Sequence, residues 1–128
     1  MISRAVLLFC VLGLILYPFP SSSIEITGAQ VMNGCRDDVR SMDGDQILGD
    51  RFDIGYCSGM VNGVRNTIDY YSLLFNIDQM DVCIPIEANA GQLVRVFLKY
   101  LDDHPEELHE NATGLMIASW SFAFPCSD

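Results

Sequence analysis

The sequence predicts a small all-α domain of four or five short helices that is exported and held together by two disulfides. Three observations predict it: an N-terminal segment with the composition of a secretory signal, four cysteines in the rest of the chain, and apolar residues that recur every three or four positions. This recurrence indicates amphipathic helices. An even number of cysteines in a small exported domain indicates a disulfide framework.

The N-terminal segment contains one basic residue, Arg4, an apolar run over 5–17, and then two prolines and three serines. This order is typical of a cleaved signal peptide. A membrane anchor is the alternative, but a spanning helix needs about 20 apolar residues, and Pro18 ends this run first. We therefore divide the chain into a signal peptide at 1–23 and one domain at 24–128, and expect a periplasmic or secreted protein.

The mature chain is strongly acidic. Without Arg4 it has six basic and 17 acidic residues, a net charge of −11. Nucleic-acid phosphates and anionic membrane surfaces repel such a chain. We therefore expect no nucleic acid and no membrane as partners, and a basic protein surface becomes a more plausible one, although charge alone favours the next explanation. The simpler alternative is that the charge only keeps the protein soluble.

Four cysteines remain once Cys10 leaves with the signal peptide. Three disulfide connectivities are possible for the four that remain, Cys35, Cys57, Cys83 and Cys126. None of them forms the Cys-x-x-Cys motif that is typical of redox and zinc sites. We prefer Cys35 with Cys57 and Cys83 with Cys126, because each pair would join segments that the helical pattern makes neighbours.

A capping box opens the first helix. Thr27 and Gln30 stand where a hydroxyl and an amide satisfy each other's free backbone N–H groups, and apolar residues follow at helical spacing over about 28–40. The segment at 41–51 is polar and is expected to be an exposed loop, and its spacing does not fit a calcium loop. It contains three candidate partner-binding residues: Asp43, Asp45 and Asp50.

The second predicted helix, over about 52–75, carries Gly55, Gly59 and Gly63 at i+4 spacing. Glycine inside a helix costs about 1 kcal/mol relative to alanine. We therefore expect the backbone of another helix to approach closely at this row, and a local kink is the alternative. The expected apolar face consists of Phe52, Tyr56, Met60, Val64, Ile68 and Tyr71.

Two further helices are predicted after a polar connector at 76–81 and an extended segment at 82–86. Asn89 is a strong N-cap for a helix that ends at about residue 103. Pro105 then opens a new turn, with Glu106 and Glu107 at the positive end of its dipole. The last helix, over about 111–124, is expected to bury Leu115, Met116, Ala118, Trp120 and either Phe122 or Ala123.

The sequence contains no recognisable catalytic or metal-binding motif. Its two histidines, His104 and His109, are five residues apart and so do not share a helical face at metal-binding spacing. Glutamates at the start of a helix are best explained as a solvated face that complements the dipole. We therefore expect no enzymatic activity, no metal and no cofactor.

Several short motifs occur in one order along the chain and together resemble the Rap/Tai family of immunity proteins, which bacteria export to the periplasm to neutralise amidase toxins delivered by type VI secretion. The resemblance covers about 27–126, and Gly63 and Cys57, which follows Gly55-Tyr56 directly, are departures from the family pattern. The motifs are Gly55-Tyr56, Gly59, Cys83-Ile84-Pro85, Gly91-Gln92-Leu93, Tyr100-Leu101, His104-Pro105-Glu106-Glu107-Leu108-His109 and Phe124-Pro125-Cys126.

The resemblance implies a helical, disulfide-bonded inhibitor, usually a homodimer, that plugs the active-site groove of a cognate amidase toxin. An exported helical interaction module with a non-toxin envelope partner is the first alternative, and a peptidoglycan hydrolase is the second. Loops carry recognition on a rigid scaffold, so the acidic residues of a second loop join those of 41–51 as candidates for the contact. They are Asp102, Asp103, Glu106 and Glu107.

Overall fold

The computed structural model describes residues 25–75 and 81–126. Within them the chain forms four α-helices and one short 3-10 helix, with no β-strand, so the all-α prediction is confirmed. The predicted signal peptide at 1–23 and all but the last residue of the predicted connector lie outside the described residues. No described helix is long and apolar enough to cross a membrane. The elements are α1 (Gly28–Asp43), α2 (Arg51–Phe75), α3 (Ala90–Asp103), the 3-10 helix (Pro105–Glu107) and α4 (Ala112–Ala123).

Local caps set the ends of the helices. Before α1, the side chain of Gln30 accepts a hydrogen bond from the backbone N–H of Thr27 at 2.9 Å, as the capping box predicts. Asn89 and Asn111 accept from the backbone N–H groups three residues ahead and so begin α3 and α4. α1 continues past its expected end and stops at Gly44, whose φ of +79° is a left-handed conformation that glycine adopts without strain.

The core lies between the four helices, and its largest member is Trp120 of α4. The indole N–H of Trp120 donates to the backbone carbonyl of Leu93 at 3.2 Å. Its one polar group is therefore satisfied inside the core, which burial of an indole requires. The largest fully buried side chains besides it are Leu93, Phe97, Leu101 and Met116.

Two disulfides join the helices, and they are the two pairs that the sequence analysis preferred. Cys35 of α1 is bonded to Cys57 of α2, and both residues are fully buried. Cys83, which precedes α3, is bonded to Cys126, which follows α4. The backbone N–H of Cys83 also donates to the carbonyl of Phe124 at 2.8 Å. The second disulfide therefore fastens the end of α4 to the segment that enters α3.

The buried face of α2 differs from the predicted one. Cys57 and Val61 are fully buried, whereas Phe52 is 74% exposed and Tyr56 is 38% exposed. The bond from Cys57 to α1 explains the difference, because it turns that side of the helix inward. The remaining members of the predicted face are buried or half-buried: Met60, Val64, Ile68 and Tyr71.

The buried residues of α4 also differ in part from the expectation. Phe122 is 82% exposed and Ala123 is exposed, so neither joins the core, and Ala118 is only half-buried. Ser119 takes a buried position instead, because its hydroxyl donates to the carbonyl of Met116 at 2.7 Å and so keeps a hydrogen bond. The buried apolar residues of α4 are Ala112, Leu115, Met116 and Trp120.

Among the described helices the close approach lies at Gly34, and none of them crosses α2 at Gly59, contrary to the prediction. A Cβ added at Gly59 would meet no heavy atom of the other described elements within 4 Å, and the same holds for Gly55 and Gly63. A Cβ added at Gly34 would lie 2.5 Å from the carbonyl oxygen of Asp53. Gly34 is the neighbour of the cysteine that binds α1 to α2, so the two backbones meet there.

We expect Gly34→Ala to lower the melting temperature of the oxidised protein. Displacing the backbone at Asp53 costs about 1–3 kcal/mol as overpacking, which exceeds the gain in helix propensity. Gly114→Ala is the matched control, because its added Cβ would lie 3.9 Å from Asn111 Oδ1, an ordinary contact. Thermal unfolding followed by circular dichroism measures both, and equal or higher melting temperatures for both variants would contradict a backbone contact at Gly34.

Candidate functional site

The turn between α3 and α4 is fastened to the beginning of α1. The backbone N–H of Gly28 donates to the carbonyl of Glu110 at 3.0 Å, and that of Ala29 donates to the carbonyl of Leu108 at 2.9 Å. The first N–H groups of a helix lack partners within it, so the turn supplies them. A Cβ at Gly28 would lie 2.7 Å from Leu115 Cδ1, so only glycine fits without displacement. The acidic turn is therefore a fixed part of the fold.

Tyr100, His104 and Glu107 form a small cluster at the start of this turn. The rings of Tyr100 and His104 are stacked with their centroids 4.2 Å apart, and the Tyr100 hydroxyl donates to a carboxylate oxygen of Glu107 at 2.9 Å. Burial raises the pKa of Tyr100 above its usual 10.0, and the hydrogen bond and the charge of Glu107, with the charge of Glu106, raise it further. The hydroxyl therefore stays protonated and holds Glu107 in place.

A groove of about 250 Å³ opens beside this cluster, between the ends of α3 and α4. Val96, Tyr100 and His104 line one side, and Phe122 lines the other. Phe122 is largely exposed on the rim. An exposed aromatic ring next to a fixed acidic turn is the kind of surface that anchors a protein partner.

Most of the predicted partner-binding carboxylates bind groups within the chain. Asp102 pairs with Arg36 at 2.6 Å, and Asp43 pairs with Arg95. Exposed ion pairs contribute about 0–1 kcal/mol each, so a partner could displace them at small cost. The other engaged carboxylates are Asp103 with Lys99, Glu107 with the Tyr100 hydroxyl, and Asp50 with the Phe52 backbone N–H.

Two of the seven candidates, Asp45 and Glu106, have no ion pair or side-chain hydrogen bond within the described part of the chain. They lie far apart: Glu106 is on the turn fastened to the beginning of α1, and Asp45 follows the end of α1. A helix of 16 residues is about 24 Å long. The two acidic segments therefore form separate surfaces, and Asp43 belongs to α1 and not to the loop.

Two buried carboxylates that the sequence analysis did not single out connect the second half of α1 to the following loop and to α2. Asp37 pairs with Arg40 at 2.9 Å and faces Gly49, where an added Cβ would clash with the Asp37 carboxylate. Asp38 accepts a hydrogen bond from the Ser58 hydroxyl at 2.7 Å. Asp37 is 7% exposed and Asp38 is 4% exposed. Asp37 faces the loop at Gly49, and Asp38 binds α1 to α2. The contacts of Asp37 with Gly49 and of Asp38 with Ser58 join residues 12 and 20 positions apart, so they left no local signal in the sequence.

The side of α2 that faces away from the core, here called the outer face of α2, carries exposed aromatic and aliphatic residues. Phe52 and Tyr56 stand at its beginning, Tyr70 near its end, and the row from Gly55 to Gly63 between them. Between residues 54 and 68 the only charged residue of α2 is Arg65, which is half-buried and donates to the carbonyl of Ala88. The outer face is therefore long and almost uncharged.

The residues of the family motifs lie in three different parts of the fold. Leu93 and Leu101 are fully buried in the core, and the exposed Gln92 lies one turn after the Asn89 cap. Gly55, Tyr56 and Gly59 lie on the outer face of α2, so they do not join the acidic turn. The motif residues at chain bends are Pro85, whose carbonyl accepts from the Ala88 N–H at 3.0 Å, His104, Pro105 and the exposed Pro125, and Tyr100 lies in the last turn of α3.

Among residues 25–75 and 81–126, no group of three or more His, Cys, Asp or Glu side chains is placed to hold a metal ion. The described surfaces offer shape, charge and exposed aromatic groups.

A comparison with protein families matches residues 27–126 to the model described as Rap1a immunity proteins. The match includes all four helices and both disulfides. The chain matches no curated protein and no solved structure.

We expect Glu107→Gln to lower the pKa of Tyr100 toward 10.0 without reaching it, because burial, the largest cause of the shift, remains. When the pKa of a tyrosine is higher in the folded than in the unfolded chain, the folded state loses stability as the pH rises above the unfolded-state pKa. The variant should therefore lose less stability than the wild type in that pH range. Tyrosinate absorbance during an alkaline titration measures the pKa, and Tyr100→Phe identifies the transition among the four tyrosines of the domain at 24–128. An unchanged transition would mean that Glu107 does not bind the hydroxyl in solution.

Proposed function

The chain belongs to the family of Rap1a immunity proteins, and we propose that it binds a cognate toxin, a peptidoglycan amidase delivered by type VI secretion, and blocks it sterically in the periplasm. The family match, which spans every described helix, carries this proposal. The inhibitor needs no chemistry of its own, because covering an active-site groove is enough to exclude the substrate.

The two disulfides support an exported protein, because such bonds form and persist in oxidising compartments such as the bacterial periplasm. The cleaved signal at 1–23 is part of the same proposal. Disulfides and a fully packed core also suit an inhibitor, because a surface that is already ordered loses little conformational entropy when it binds.

The turn at 102–110 is the contact surface that we favour. Backbone hydrogen bonds to Gly28 and Ala29 hold it in one conformation. Glu106 is unpaired there, and Phe122 is exposed on the neighbouring rim. An aromatic anchor beside a carboxylate fits a partner whose surface combines an apolar pocket with a basic or polar rim.

We expect the oxidised protein to abolish the activity of an amidase encoded next to its own gene once the enzyme is saturated with it. The measurement is the release of peptide fragments from isolated sacculi, with an unrelated amidase as the specificity control. The protein alone should release no fragments. Full amidase activity at saturating protein, with no complex in size-exclusion chromatography, would refute the proposal and favour a different envelope partner. Fragment release by the protein alone would identify an enzyme.

We also expect charge at the turn to speed association with that amidase. Glu106→Gln should lower the association rate constant about two- to five-fold at low ionic strength and less at moderate ionic strength, because charge at the rim of an interface mainly steers the encounter. It removes no hydrogen bond within the described chain, so the fold should be unaffected.

Asp45→Asn is the matched control, because it removes one unpaired carboxylate from the other end of α1 and leaves the same net charge. Stopped-flow association at two salt concentrations compares the variants. A larger effect from Asp45→Asn would move the contact to the loop after α1. Equal rates for the wild type and both variants would mean that an apolar surface makes the contact and that the electrostatic account is wrong.

A further inference from the structure

The two disulfides lie in different surroundings. The bond between Cys35 and Cys57, here called the inner disulfide, joins two residues that are 0% exposed in the core. The bond between Cys83 and Cys126, here called the outer disulfide, lies outside the helices. Cys83 is exposed and Cys126 is half-buried. A disulfide exchanges when a thiolate reaches one of its sulfurs, so a thiolate in solution has access to the outer bond of the folded protein and not to the inner one.

An open groove of about 330 Å³ leads to the outer disulfide. The residues that line it are Ile68, Asp69, Ser72, Val82, Cys83 and Ile84. Asp69 is the only charged residue among them, and it forms an ion pair with Arg65 at 3.4 Å. The neighbouring guanidinium offsets the repulsion that this carboxylate exerts on an approaching thiolate. The groove therefore offers a thiolate an accessible path to Cys83.

We propose that the outer disulfide is a thiol–disulfide exchange site, which a dithiol opens in the folded protein while the inner disulfide stays closed. The dithiol is a small molecule or the active site of a thiol–disulfide oxidoreductase. The outer bond is then a removable clamp between the end of α4 and the segment that enters α3. This inference does not depend on the identity of the toxin.

The exchange consists of two displacements. One thiolate of the dithiol attacks the sulfur of Cys83, the more exposed of the two cysteines, and forms a mixed disulfide as the bond to Cys126 breaks. The Cys126 sulfur leaves as a thiolate and takes a proton from water. The second thiolate of the dithiol then displaces the Cys83 sulfur, which is protonated in the same way. Two electrons pass from the dithiol to the protein, and the dithiol becomes a disulfide.

A monothiol is a poor substitute for a dithiol, because the fold holds the two outer cysteines next to each other. The backbone N–H of Cys83 donates to the carbonyl of Phe124 at 2.8 Å, and Val82 is anchored in the core with an exposure of 7%. These contacts keep Cys126 beside a mixed disulfide at Cys83, where it acts as an intramolecular group and re-forms the bond. A second thiol tethered to the first competes with that step.

Opening the outer disulfide leaves the core intact and unties the end of α4. The inner disulfide and the fully buried Trp120, whose indole N–H donates to Leu93, hold the core without it. After Trp120, the remaining residues of α4 are exposed or half-buried, and such a helix end frays when nothing ties it down. This end carries Phe122, which lines the groove between α3 and α4. The redox state of the outer disulfide therefore controls how firmly the ring of Phe122 is held.

The test uses the protein exported through its own N-terminal segment, with both disulfides formed and no toxin present. Dithiothreitol is added at mildly alkaline pH, free thiols are alkylated at intervals, and peptide mass mapping assigns each alkylated cysteine. We expect Cys83 and Cys126 to be alkylated about 100-fold faster or more than Cys35 and Cys57, because a fully buried bond exchanges only in the small fraction of molecules that are unfolded. In guanidinium chloride the two bonds should open at similar rates.

The monothiol β-mercaptoethanol, at the same thiol concentration, is the matched control and should open the outer bond more slowly than dithiothreitol. Reduced thioredoxin tests whether a protein dithiol reaches the groove, and opening by dithiothreitol alone would assign the site to small dithiols. The opened protein should keep its helical circular dichroism and show faster hydrogen exchange at 122–124. The double variant Cys83→Ser, Cys126→Ser should show the same faster exchange without any reductant.

Equal rates for the two disulfides in native buffer would overturn the proposal, as would an outer bond that opens only in guanidinium chloride. Loss of helical circular dichroism on opening would also overturn it, because the outer bond would then hold the whole domain and not one end of α4. The assay contains no toxin, so its outcome is independent of the amidase inhibition assay.

Discussion

The bond between Cys35 and Cys57 determines how the rest of the domain is arranged. It lies fully buried between α1 and α2 and therefore decides which side of a long helix faces inward. Gly34 meets the backbone of α2 beside it, and Asp38 binds Ser58 in the same contact. Because Cys57 and Val61 face the core, Phe52 and the glycine row must face outward. The exposed surface of α2 is thus a consequence of one covalent bond in the core.

α1 also determines where the acidic turn lies. Its first N–H groups bind the carbonyls of Leu108 and Glu110, and its side chains pair with α3 at two points, Arg36 with Asp102 and Asp43 with Arg95. Those two pairs show that α1 and α3 run antiparallel, since the middle of each helix is paired with the end of the other. The turn after α3 is therefore placed by the same helix that the disulfide fixes.

The features that could be predicted from the sequence are those that depend on interactions between residues close together in the chain. The caps at Thr27, Asn89 and Asn111 act over three residues, so the helix boundaries were readable to within a few positions. The four cysteines limited the pairing to three choices. Which side of α2 faces the core could not be predicted from the sequence, because apolar residues such as Phe52 and Val61 occur on both sides of that helix. Periodicity alone does not show which of them are buried. The pairing of Asp43 with Arg95, 52 residues away, has no local signature either.

The pairing of charges limits what electrostatics can contribute to recognition. Of the six arginines and lysines in the described part of the chain, five form ion pairs with aspartates. Such a pair is nearly neutral at a distance longer than the Debye length, about 8 Å at physiological salt. The field that a distant partner meets comes from unpaired carboxylates such as Asp45 and Glu106, which lie at opposite ends of α1. A field from separated sources attracts a basic partner without orienting it finely. The orientation of the partner must then be set by the shape of the contact surface. The turn at 102–110 has a fixed shape, carries charge and lies beside the exposed ring of Phe122.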